Sequence, residues 1–186
     1  MALAPLHGEA NRYAIAPAPG TQLSLEVYKT GLMSGKKHFF LFEKFHGELR
    51  YDPQQPATSS VRLEIDAASA VCKDTWVSPG DLRKVQAAAL HDMLAADRFP
   101  RLTFTSTRLA AAGPGRYDIE GTLTIREIAK PAVVHVRVDA GSALRIEGDA
   151  EVKLRDYGLK PPGAALGAIG TKNEMKVSFV LLPAPL

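Results

Sequence analysis

From Leu144 to Arg155 apolar and charged residues alternate without a break. Leu144, Ile146, Gly148, Ala150, Val152 and Leu154 fall on one face, and Arg145, Glu147, Asp149, Glu151, Lys153 and Arg155 on the other. Side chains of a strand point to opposite faces in turn, so this pattern predicts a strand with one dry and one wet face, as in antiparallel sheet. The pattern recurs. Leu23, Leu25 and Val27 oppose Gln22, Ser24 and Glu26; Val61, Leu63 and Ile65 oppose Arg62, Glu64 and Asp66. Tyr117, Ile119, Gly121, Leu123 and Ile125 oppose Asp118, Glu120, Thr122, Thr124 and Arg126. Val134, Val136 and Val138 oppose His135, Arg137 and Asp139, and Met175, Val177 and Phe179 oppose Lys176 and Ser178. Leu102 to Arg108 is Thr-rich, which suits a strand. With Arg12 to Ile15 and His38 to Tyr51, eight or nine strands are expected. Asp52-Pro53, Gly113-Pro114-Gly115 and Ala140-Gly141-Ser142 supply turn chemistry between them.

One segment breaks the alternation. Ser78 is placed to cap a helix, Pro79 suits its first position and Asp81 complements its dipole. Leu82, Val85, Ala89 and Met93 follow at helical spacing. The helix, broken or not near Leu90-His91, must end before Phe99-Pro100. The expectation is a helical insertion around residues 79–96 in an otherwise all-β chain.

Eight antiparallel strands leave two open edges unless the sheet closes or pairs with another. Closure gives an eight-stranded antiparallel barrel, whose interior either fills with side chains or holds one ligand. Small residues at the inward positions Gly47, Gly121, Gly148 and Ala150 argue for space, although glycines also mark bulges. Such a cavity would be lined by aliphatic and aromatic side chains and would suit an apolar ligand. Four of the seven phenylalanines lie between Phe39 and Phe45. Strict alternation turns Phe39, Leu41, Phe45 and Leu49 one way and Phe40 and Phe42 the other. A covered second face or a bulge near Glu43 would account for both. Tyr157 to Thr171 is a long apolar loop, either packed on the body or acting as a lid over a barrel mouth.

The chain has 186 residues, 46% hydrophobic and 23% charged, the values of one ordinary globular domain. Mean hydropathy is −0.07 and no apolar run approaches 18 residues, so no transmembrane helix is expected. Net charge is +3 with no block of like charges, so nothing points to nucleic acid. Cys72 is the single cysteine, which excludes an internal disulfide and a cysteine-based zinc cluster. His7, His38, His46, His91 and His135 show no metal-ligand spacing, and no phosphate loop, nucleophile elbow or base for Cys72 is apparent. The expectation is a protein that is not an enzyme, binds no metal and requires no cofactor.

Several motifs, in order, resemble the YceI-like family, bacterial lipocalin-like barrels associated with polyisoprenoid binding. They are Arg12-Tyr13-Ala14-Ile15, the segment Tyr28 to Ser34, Phe45 to Pro53, Ile65 to Ser69, Phe99 to Thr107, Gly121 to Ile125 followed by Lys130-Pro131, and Arg155 to Gly158. The resemblance spans residues 11–182. Two departures stand out: Arg126-Glu127 replaces a usual His-Gly, and Phe40 stands where a second histidine often follows His38.

The resemblance implies a tail at residues 1–10 and one barrel domain at 11–186. It implies a carrier for a long isoprenoid, a polyprenyl pyrophosphate or a quinone tail, with a filled barrel acting through a protein partner as the alternative. A ligand inside would touch Leu25, Val27, Phe39, Leu41, Phe45, Gly47, Leu63, Phe104, Gly121, Leu123, Gly148, Ala150, Tyr157, Leu166 and Phe179. A pyrophosphate head group would need cations, for which Lys36, Lys37, His38, Lys160 and Lys172 are the candidates. A homodimer is compatible with this reading. Met1 to Pro5 shows neither the basic nor the apolar region of a signal peptide. The expected location is therefore cytoplasmic as written, or periplasmic where an export signal has been removed.

Overall fold

The alternating segments do become strands. The computed structural model describes residues 11–186, and the expected tail at residues 1–10 lies outside them. The strands are β1 (Asn11–Ile15), β2 (Gln22–Gly31), β3 (Lys37–Phe42), β4 (Phe45–Tyr51), β5 (Ser60–Asp66) and β6 (Ala70–Cys72). After the helix α1 (Pro79–Ala87) come β7 (Arg101–Gly113), β8 (Arg116–Ile125), β9 (Ile128–Ala140), β10 (Leu144–Lys153), β11 (Ile169–Leu181) and β12 (Ala184–Pro185). All belong to one antiparallel sheet in the order β12-β1-β4-β5-β7-β8-β9-β10-β11-β2-β3-β6.

This order explains how the sheet curls. β4 pairs with β1 and β5, whereas β3 pairs with β2 and β6. β3 runs into β4 across Glu43-Lys44, and β5 runs into β6 through the single turn Ala67–Ser69. The β4–β5 ladder therefore bends into the β3–β6 ladder, and the far end of the sheet returns to its beginning as a barrel-like body. The corner is hydrogen-bonded: Glu43 N–H donates to Ser69 O at 3.1 Å, Asp66 N–H to Lys44 O at 3.0 Å, and Ser69 Oγ to Asp66 O at 2.7 Å.

The expected count of eight strands is corrected to twelve. The stretch His38 to Tyr51 is not one strand, because the corner at Glu43-Lys44 divides it. β6 and β12, three and two residues long, carry too few positions to show a period.

The corner also corrects the inward set. Phe42 and Phe45 are both buried although three residues apart, so the period slips at Glu43-Lys44. Counting back from Phe45 by twos gives the wrong face of β3, since a slip of one residue reverses every side chain. Phe40 and Phe42 point inward; Phe39 and Leu41 occupy the other face.

The inward glycines are not voids either. A Cβ on Gly121 would stand 2.5 Å from the Phe104 ring, and one on Gly148 would stand 2.6 Å from the Phe179 ring and 2.5 Å from His135 O. Neighbouring rings already lie over these backbones, the way aromatic side chains cover strand glycines. Gly47 is crowded by the Arg62 carbonyl and Leu63.

The helix forms where expected. Ser78 Oγ accepts from Asp81 N–H at 3.1 Å and Pro79 opens the first turn. The following turn, Ala88–Met93, widens to π geometry, with Leu94 N–H donating to Ala89 O. Arg126 and Glu127 form a two-residue β8–β9 turn with φ of 52° and 64°. Arg126 reaches toward the Met93 and Asp92 carbonyls and lies 5.6 Å over the Phe99 ring, joining this turn to the helix end.

Candidate ligand-binding site

The inward faces do not meet in a filled core. They enclose a cavity of about 590 Å³. Leu23, Leu25 and Val27 of β2, Phe40 and Phe42 of β3, Val61, Leu63 and Ile65 of β5, and Leu102 and Phe104 of β7 form one side of its wall. Ile119, Leu123 and Ile125 of β8, Ala132, Val134 and Val136 of β9, Ala150 and Val152 of β10, and Met175, Val177 and Phe179 of β11 complete it. Val85, Ala88, Ala89, Met93 and Leu94 lie across one end. The π turn belongs to this cover, and π turns recur at functional sites.

The loop after β10 adds the rest of the cover. Leu154, Tyr157 and Leu159 are buried, and Leu154, Leu159, Pro162, Gly163 and Ala164 line the cavity. Pro162 to Ala164 are exposed on their outer side, so the wall is one segment thick there. The loop closes on itself through Ala164 and Ile169, each N–H donating to the other's carbonyl at 2.9 and 3.2 Å.

Four lining residues are polar: Lys29, His38, Lys84 and Thr171. Lys29 is half-buried, and its ammonium donates to Thr171 Oγ1 at 3.3 Å. Burial holds its pKa below the ordinary 10.5. Lys84 comes from the helix and pairs with Asp81 at 3.1 Å. His38 Nδ1 lies 2.6 Å from Asp74 Oδ2, the side chains being 13% and 1% exposed, and Asp74 Oδ1 accepts from Phe39 N–H at 2.8 Å. The imidazole stacks on Trp76 at 5.4 Å, whose indole N–H donates to Lys37 O. His38 is thus fixed in orientation from two sides.

Cys72 joins this group. Ligating atoms of His38, Cys72 and Asp74 lie within 4.8 Å of one another, although 34 residues separate His38 from Cys72 in the chain. The β3–β6 pairing brings them together, which histidine and cysteine spacing did not reveal. Both Asp74 oxygens take part in hydrogen bonds, Oδ2 with the His38 ring and Oδ1 with the Phe39 N–H. Burial, with Asp74 beside it, pushes the Cys72 thiol up to about 11, leaving it a poor nucleophile near neutral pH.

Of the residues expected to contact a ligand, Leu25, Val27, Leu63, Phe104, Leu123, Ala150 and Phe179 line the cavity. Phe39 and Leu41 face away, and Gly47, Gly121 and Gly148 are covered by their neighbours. Phe45 is buried without lining the cavity. Tyr157 is buried behind the loop, its hydroxyl donating to Leu123 O at 3.4 Å, and Leu166 is exposed. Among the head-group candidates His38 alone lines the cavity. Lys37 pairs with Glu26, Lys36 lies over Trp76, Lys172 lies over Tyr28, and Lys160 is exposed. Lys29 is the cation that spacing could have found: it continues the inward run Leu23, Leu25, Val27.

Residues 13–181 match the YceI-like domain. This chain belongs to the YceI-like family. A UPF0312 protein of Vibrio cholerae is 29% identical over 131 residues, 67% of this chain and 66% of that protein. One of Azotobacter vinelandii is 28% identical over 126 residues, 64% of this chain and 62% of that protein. The chain thus spans just under two thirds of the length of these relatives. The crystal structure of Burkholderia cenocepacia BcnA superposes with a TM-score of 0.69 at 24% identity, covering 87% of this chain and 94% of that one. A polyisoprenoid-binding domain of Saccharophagus degradans gives 0.62 at 17% identity, covering 96% and 100%. At these identities the likeness is one of fold.

Proposed function

We propose that this YceI-like protein is a non-catalytic carrier of an isoprenoid lipid. The tail lies in the cavity, and the head group lies toward its four polar lining residues, Lys29, His38, Lys84 and Thr171, of which Lys29 and Thr171 are hydrogen-bonded to each other. The observation that carries the proposal is the cavity itself: an apolar space whose polar lining is confined to those four residues. At the roughly 30 Å³ that a water-sized group occupies in a liquid, it has room for at least about 20 such groups. That is about four isoprene units.

Two further points support this reading. The Saccharophagus degradans domain of the same fold is described as polyisoprenoid-binding. The Cys72 thiol, pushed up to about 11, is unsuited to thiolate chemistry, so the polar cluster is better fitted to holding a head group than to attacking one. A half-buried ammonium and an oriented imidazole suit an anionic or hydrogen-bond-accepting head group, a pyrophosphate or a quinone. No cofactor is needed, because the role asks only that the tail be kept from water.

Native mass spectrometry of freshly purified protein, followed by titration with geranylgeranyl pyrophosphate and a short-tail quinone, tests the proposal. A co-purified lipid adduct or one-to-one binding of either ligand is expected. Adduct-free protein that binds neither ligand would overturn it.

A further inference from the structure

Two loops stand together beside the cavity, and both carry lysines without an acidic residue. Residues 28–38, around the β2–β3 turn, and residues 157–173, after β10, contain no Asp or Glu between them. They contain Lys29, Lys36, Lys37, Lys160 and Lys172. The rest of the sequence carries all 20 acidic residues. Leu32 N–H donates to Ala168 O at 2.9 Å, which ties the tips of the two loops to each other.

Each tip presents a leucine to solvent. Leu166 is 109% exposed and Leu32 is 80% exposed. Leu166 and Ala165 sit at φ of 54° and 52°, the left-handed region that a side-chain-bearing residue adopts only under constraint. The loop bends sharply here and leaves Leu166 projecting from it. The lysine ion pairs among the described residues are Lys37–Glu26, Lys73–Glu43, Lys84–Asp81 and Lys153–Glu151. Lys36, Lys160 and Lys172 are exposed and in none of them.

We propose that these two loops dock the protein on an anionic phospholipid surface, with Leu32 and Leu166 entering the interface and Lys36, Lys160 and Lys172 lying over the head groups. The inference rests on the carrier reading, which supplies the reason for a membrane contact next to the thin part of the cavity wall. Exposed leucines on loops that also carry lysines match a bilayer's anionic face, where each basic residue strengthens attraction and insertion removes apolar surface from water. The occupant is a membrane rather than a protein because the surface offers charge of one sign and two isolated apolar points, not a continuous apolar patch.

Vesicle flotation with the whole protein tests this. Vesicles of phosphatidylcholine alone are compared with vesicles containing phosphatidylglycerol. Enrichment on the anionic vesicles is expected, and it should weaken with salt. A Lys36→Gln/Lys160→Gln/Lys172→Gln variant should partition about a hundredfold less, at about fivefold per lysine. Leu32→Ser with Leu166→Asn should lower partitioning at least tenfold. Asparagine tolerates the left-handed backbone at position 166, so folding is spared. Geranylgeranyl pyrophosphate is titrated in detergent solution with the leucine variant, and its affinity should not change.

Equal partitioning to both vesicle types, or a leucine variant that floats like wild type, would overturn the docking. So would a homodimer that the leucine substitutions dissociate in the absence of vesicle binding, which would assign the surface to a second copy. Lost vesicle binding with intact ligand titration removes the docking alone. Intact vesicle binding with no ligand uptake removes the carrier reading instead.

Discussion

Phe179 lies over Gly148 across the β10–β11 ladder, with its ring edge 2.6 Å from where a Gly148 Cβ would be. The two residues together make one piece of cavity wall: the glycine supplies the backbone and the phenylalanine supplies the surface. Gly148→Leu therefore inserts atoms where the Phe179 ring and the His135 carbonyl already are. Overpacking of this kind costs about 1–3 kcal/mol. For a domain of this size that lowers Tm by roughly 2–4 °C per kcal/mol. Differential scanning calorimetry should show the drop, and a variant melting with wild type would mean that the ring moves aside freely.

Ala150 is the better place to fill the cavity. It lines the space, pairs with Val177 and lies two residues along the same face from Gly148. Ala150→Phe should change stability by less than about 1.5 kcal/mol, since the added ring enters space rather than occupied volume. It should also weaken a four-isoprene ligand at least tenfold. Each five-carbon unit excluded is worth about 1.5 kcal/mol at roughly 0.3 kcal/mol per atom, near tenfold in affinity. Calorimetric titration of wild type and variant reads both numbers. Undiminished affinity in a stable variant would place the ligand elsewhere.

Most of the sheet was legible because its strands alternate against a dry interior, as in β10, where every outward residue is charged. The helix was legible from Ser78, Pro79 and Asp81. What escaped were features made by pairing between distant segments. The Glu43-Lys44 corner is held by Ser69, in the turn between β5 and β6, whose carbonyl accepts the Glu43 N–H, so no local signal fixes the phase of Phe39 to Phe42. The cluster of His38, Cys72 and Asp74 exists only once β3 pairs with β6. The glycines misled for a related reason. Gly121 and Gly148 do mark thin places in the wall, but Phe104 and Phe179, which cover them, come from neighbouring strands. Lys29 was visible as a cation in an apolar phase; its burial was the part that needed the fold.

The loop over the cavity should respond to a ligand. Leu154, Tyr157 and Leu159 anchor its first part, whereas residues 162 to 168 are all exposed. Segments with few buried contacts open at low free-energy cost. Hydrogen–deuterium exchange should be fast across residues 162–168 in the free protein and slower at saturating lipid, with the Leu154–Tyr157 turn protected in both. Unchanged exchange would make the segment a static wall.

Lys29 should couple head-group charge to pH. Burial holds its pKa below 10.5, so the folded protein binds this proton less tightly than the unfolded chain. The charge is a cost to the free fold at low pH, relieved as pH rises through the lowered pKa. An anionic head group beside the ammonium offsets that cost and pulls the pKa back up. Affinity for geranylgeranyl pyrophosphate should therefore fall as pH climbs through the lowered Lys29 pKa. Affinity for a neutral quinone of equal tail length should stay level. Lys29→Gln should remove the alkaline fall and weaken the pyrophosphate by roughly 10- to 150-fold, the loss of one hydrogen bond to a charged group, about 1.5–3 kcal/mol. The quinone should bind within about twofold of wild type. Isothermal titration over a pH series, with both ligands and both proteins, separates these terms. Equal losses for the two ligands in Lys29→Gln would show that the lysine stem packs against the tail and that the head group lies away from it.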